Sequence, residues 1–104
     1  MKIQINTDKS INGSESHQIH FSSLIAEGLK RQESHITRIE AHISDENGNK
    51  TGVNDIRCLL EARLEGKQPI AVSSQADNYE KAVSGAIDKM KIALETIIGK
   101  RAIT

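Results

Sequence analysis

From Ile36 to Gly66 apolar and polar residues take turns along the chain. Thr37, Ile39, Ala41 and Ile43 are apolar or small, and Arg38, Glu40, His42 and Ser44 between them are polar. Beyond a turn-rich stretch over 45–52, Ile56, Cys58, Leu60, Ala62 and Leu64 fall on one side and Arg57, Glu61, Arg63 and Glu65 on the other. Leu59 is the one apolar exception. A period of two with a single dry face predicts a β-hairpin packed on something by one side only.

The flanking segments complete the pattern. Ile3 and Ile5 alternate with Lys2, Gln4 and Asn6, which predicts a short first strand, followed by a polar connection from Asp8 to Gly13. Ser14 suits an N-cap, with Glu15 near the positive end of the helix dipole. The helix it opens is expected to reach about Gln32, with Ile19, Phe21, Leu24, Ile25 and Leu29 as its apolar stripe and Lys30 and Arg31 in its last turn. Glu65-Gly-Lys-Gln68 reads as a tight turn into a short strand from Pro69 to Ser74, where the proline suits an edge or a strand start. Asp77 or Asn78 is placed to cap a final helix that extends to about Ile98 and is closed by Gly99. Its inward stripe is Val83, Ala86, Ile87, Met90, Leu94 and Ile97, spaced three and four apart. The order is β-α-β-β-β-α. This predicts an α+β fold: a four-stranded sheet with two helices side by side on its apolar face and the other face wet.

At 104 residues the chain is expected to be one domain, 1–104, around one core. Its 14 basic and 14 acidic residues cancel, so polyanion binding requires local clustering of cations. The lone Cys58 at an inward position fits a reduced thiol in a cytoplasmic protein. The opening Met1–Asn6 shows no apolar leader, and no apolar run has the length to cross a bilayer.

Candidate chemistry is sparse. His17 and His20 are three apart on the first helix, but His35 starts a strand, His42 points to the wet face and Cys58 points inward, so no three ligands converge on a metal. Asp45-Glu-Asn47-Gly-Asn49 has its glycine too early for a calcium loop, and Asn47-Gly48 reads as turn chemistry. Gly48, Gly52 and Gly66 sit in turns with no helix opening behind them, and no serine occupies a glycine-flanked elbow. Neither an enzyme nor a cofactor site is expected. The outer sheet face mixes both charge signs, suited to cross-strand ion pairs, and lacks the aromatics on which single-stranded RNA stacks. The remaining candidates are Lys30 and Arg31 at the end of the first helix and Lys81, Lys89 and Lys91 beside the stripe of the second, a set suited to phosphate contacts.

Ile36-Thr-Arg-Ile-Glu-Ala-His-Ile-Ser-Asp-Glu-Asn-Gly48 and Arg57-Cys-Leu-Leu-Glu-Ala-Arg63, together with the segment from Asp77 to Leu94, resemble the ribosome hibernation-promoting factors and ribosome-associated inhibitors (sigma modulation proteins). The resemblance spans nearly the whole chain in the same element order and is to the short form, without the second domain with which long members pair ribosomes. It implies a cytoplasmic, non-enzymatic factor that binds ribosomal RNA of the small subunit through basic residues on its helices and silences idle ribosomes under stress. No small-molecule substrate, cofactor or membrane is implied. Arg31 and Lys89 match basic positions of the family, whereas Gly28 and Ile92 stand where basic residues are usual. Those departures, with the neutral charge, motivate an alternative: a protein-interaction or regulatory module that keeps the fold without ribosome binding.

Overall fold

The computed structural model describes residues 1–7, 15–45 and 56–103, with side chains described for 1–7, 18–45 and 56–98. The elements are β1 (Lys2–Thr7), α1 (Glu15–Gly28), a 3-10 turn (Lys30–His35), β2 (Ile36–Asp45), β3 (Ile56–Leu64), β4 (Ile70–Ala76) and α2 (Tyr79–Ile103). The Ser14 cap, the Asp8–Gly13 connection, the Asn47-Gly48 turn and the side chain of His17 lie outside the described residues.

The sheet order is β1-β2-β3-β4. β1 runs parallel to β2, which requires a crossover, and α1 is that crossover. The pairs β2–β3 and β3–β4 are antiparallel. Both helices lie on one face, as the two amphipathic patterns demand. Phe21, Ile25 and Leu29 from the first helical segment meet Ile39, Ile43, Leu60 and Leu64 from the sheet and Val83, Ile87, Met90 and Leu94 from α2 in one buried core.

Three expectations are corrected in detail. Thr37 does not share the inward face with Ile39: a bulge between Ile36 and Arg38 turns Ile36 into the core instead. The displaced Thr37 hydroxyl donates to the Arg63 carbonyl at 3.0 Å. Ile19 is 66% exposed, because two helical residues are about 200° of rotation and Phe21 holds the inward position. α2 runs past Gly99 to Ile103 rather than stopping there.

The first helix also ends early, and this moves two candidate residues. α1 stops at Gly28 rather than Gln32, and Leu29 leaves helical geometry with φ −108° and ψ 16°. Lys30 and Arg31 therefore belong to the 3-10 turn and not to the last turn of α1. Gly28 is also a tight contact between the helices: a Cβ there would overlap Ile87 Cγ2. Because Ile87 is β-branched and buried, it has little freedom to yield.

At the start of α2 the two candidate caps divide the work. Asn78 Oδ1 accepts the Lys81 backbone N–H at 2.8 Å, while the Asp77 carboxylate lies 3.5 Å from Lys81 Nζ. At the β3–β4 turn, Gly66 has φ 71°, a conformation that favours glycine.

Gly28→Ala is expected to lower the unfolding free energy by about 1–3 kcal/mol, the usual cost of overpacking a tight contact. Urea denaturation followed by circular dichroism measures it, and an unchanged midpoint would mean that the helices separate freely.

Candidate nucleic-acid interface

The two helices run parallel across the sheet. Near their N-terminal ends His20 Nε2 lies 3.6 Å from Glu80 Oε1, and farther along Gly28 meets Ile87. The 3-10 turn consequently lies beside the second half of α2. There Lys30, Arg31 and Lys91 line one cleft of about 440 Å³ together with Glu27, Gly28, Gln32 and Glu95. Three of the five candidate cations are thus gathered, with two carboxylates among them.

The other two candidates lie elsewhere. Lys81 stands at the N-terminal end of α2, against Asp77. Lys89 turns toward the sheet, and its Nζ donates to the Ser73 carbonyl at 2.7 Å, tying α2 to edge strand β4. Among the described residues, the five candidates therefore form one local cluster and two separate cations rather than a continuous basic stripe.

One lining residue, Gln32, escaped the sequence reading. It is 7% exposed, and its Oε1 is buried with no hydrogen-bond partner among the described residues. It stands seven residues after Ile25 and three after Leu29, so the helical period that buries them already aims it inward; being polar, it was left out of the apolar stripe.

The wet face of the sheet holds its charges differently from expectation. Across β2–β3, like faces like: Arg38 opposes Arg63 and Glu40 opposes Glu61. Compensation runs along each strand instead, with Arg38 Nε 3.1 Å from Glu40 and Arg63 Nε 3.6 Å from Glu61. Residues two apart share a face, so a long arginine reaches its neighbour on the same strand. His42 also lies 3.6 Å from Glu40, and Arg38 donates to Gln4 Oε1 on β1.

Among the described residues, no three His, Cys, Asp or Glu side chains come together as metal ligands, and no helix is long and apolar enough to cross a membrane. A larger groove of about 840 Å³ is lined by Leu64, Gly66, Lys67, Gln68, Pro69, Ile70 and Ile97, which brings a single titratable group to it. Ile97, expected in the core, is only half-buried there. Cys58 is fully buried, and burial pushes its thiol up to about 12. A reactive thiolate is unavailable at that position.

The fold is an α+β layer pair, a four-stranded mixed sheet under two parallel helices, with a mixed-charge cleft between the turn after α1 and the side of α2. No family model matches the chain, and no curated protein matches it. Solved structures do share its fold. The N-terminal domain of Protein Y from Thermus thermophilus aligns with a TM-score of 0.72 at 12% identity, over 93% of this chain and 99% of that one. A ribosomal subunit interface protein from Coxiella burnetii aligns with a TM-score of 0.65 at 18% identity, over 95% and 99% of the two chains.

The buried thiol yields a pH test. The native state keeps the Cys58 proton up to about pH 12, whereas an exposed thiol releases it near 9.0. Its contribution to stability is therefore complete below about 9 and declines as pH rises toward 12. Between about pH 8 and pH 10, the stability gap between the parent and Cys58→Ala should narrow by about 1.4 kcal/mol. Denaturant titrations of both proteins at the two pH values measure this, and a constant gap would contradict it.

Proposed function

We propose that this chain is a cytoplasmic, ribosome-associated factor that contacts RNA of the small ribosomal subunit through its helical face and holds translation off under stress. The observation that carries the reading is the shared fold with a protein named for the ribosomal subunit interface, over nearly the full length of both chains. The cleft adds a place for the contact. Lys30, Arg31 and Lys91 converge where the turn after α1 meets α2, and clustered cations bind phosphates without regard to sequence.

Geometry ranks the five candidates. Lys30, Arg31 and Lys91 are the principal phosphate contacts. Lys81 and Lys89 are subordinate, since one faces Asp77 and the other has its ammonium on a backbone carbonyl. The wet sheet face acts as scaffold, with Arg38 and Arg63 compensated along their own strands.

A protein-interaction role on the same fold is favoured by one feature. Ile92, 66% exposed, follows Lys91 on α2 and offers a partner an apolar contact where the resemblance expects a cation. The two readings part at this residue. Arginine at position 92 adds a cation that an RNA partner welcomes, but removes the apolar contact a protein partner would use.

Co-sedimentation with purified small subunits across a salt series decides between them. The parent protein is expected to pellet at low salt, with log K falling against log salt at a slope of about −2 to −3 if three phosphates are contacted. Lys91→Glu should abolish binding, Lys89→Glu should weaken it less, and Ile92→Arg should strengthen it several-fold. Absence of co-sedimentation at low salt would overturn the proposal.

A further inference from the structure

Gln32 is an anomaly of the core. Its side chain is buried, its backbone N–H is used by the Leu29 carbonyl at 3.0 Å, and yet Oε1 has no partner among the described residues. A buried acceptor without a donor is unfavourable, and most native proteins avoid it. This one lines the same cleft as Lys30, Arg31 and Lys91. The amide is sealed from solvent at rest, but its terminal torsion is broad and two-fold, so rotation exchanges Oε1 and Nε2 at the cleft wall. The rotation costs Oε1 no hydrogen bond but takes Nε2 inward, so it is favourable only when a ligand donor engages the freed oxygen.

The cleft's composition selects a particular ligand. A bare polyanion would meet Glu27 and Glu95 as well as the three cations. A group with one anionic centre and hydrogen-bond donors beside it satisfies all of them. Phosphate next to a ribose hydroxyl is such a group, and the volume of about 440 Å³ lies within the range of small-ligand sites. The 2′-hydroxyl is the donor that RNA has and DNA lacks.

We infer that this cleft holds one ribonucleotide unit of an RNA strand, its phosphate against Lys30, Arg31 and Lys91 and its ribose 2′-hydroxyl donating to Gln32 Oε1. The inference rests on the RNA-binding reading above and adds a means of telling RNA from DNA. Gln32 then contributes an uncharged contact, so it affects affinity without releasing counterions, whereas Lys91 affects both affinity and its salt dependence.

The test measures binding of the parent protein and of Gln32→Met to protein-free small-subunit RNA and to single-stranded DNA of the same sequence, over a salt series. Methionine keeps the length and removes the acceptor. The parent should prefer RNA. Gln32→Met should weaken RNA binding about tenfold, leave DNA binding and the salt slope unchanged, and so erase the preference. Equal loss for RNA and DNA would make Gln32 a packing residue and overturn the inference; so would an unchanged affinity for RNA. Should Gln32→Met fail to fold by circular dichroism, equal affinity of the parent for RNA and DNA overturns it alone. Parent protein that pellets with subunits but does not discriminate between RNA and DNA refutes only this inference; failure to pellet refutes the ribosomal reading as well.

Discussion

The contact between Gly28 and Ile87 governs the side of the molecule on which the candidate site lies. Two parallel helices sharing one sheet face must settle on a separation, and here the absence of a side chain at position 28 sets it. Ile87 fills the space that a Cβ would need. The same glycine is the last residue of α1, so the chain leaves the helix at this tight contact. The tight 3-10 turn that follows carries Lys30 and Arg31 beside Lys91 and includes the buried Gln32. A basic side chain at position 28 would add a cation only by forcing the helices apart.

The sheet supports this arrangement from below and pairs charges on its far side. Like charges oppose one another between β2 and β3, an arrangement that is unfavourable by itself. Each arginine therefore turns along its own strand to a glutamate two residues away. Exposed pairs of this kind contribute little to stability, typically up to about 1 kcal/mol. Lys89 adds a structural tie between the two layers, from α2 to the β4 backbone.

Most of the architecture was legible from periodicity because burial on one face imposes it. β3 follows its two-residue period without interruption from Ile56 to Leu64, and the stripe of α2 buries Val83, Ala86, Ile87, Met90 and Leu94 as spaced. The failures occur where local pattern competes with a contact distant in the chain. Thr37 continued the alternation on paper, yet Ile36 is the better core residue, and a bulge against β3 exchanges them. Ile19 is apolar but out of phase with Phe21. Asp77 and Asn78 were equivalent as caps until Lys81 took the carboxylate of one and the amide oxygen of the other.

By itself, the sequence determined the layer order, the dry and wet faces, the inert place of Cys58 and the five cations available for a phosphate partner. These follow from hydrophobic spacing and residue chemistry, which act over a few neighbouring positions. Tertiary structure decided which cations stand together. Lys30 and Lys91 are sixty-one positions apart in sequence, and only the helix separation set at Gly28 places them on one cleft. It also decided that Lys89 serves the fold, and that Gln32 lies buried with an unpaired oxygen. Charges close in sequence can be read from spacing; charges brought together by a helix crossing depend on the volume of one side chain at the point of contact.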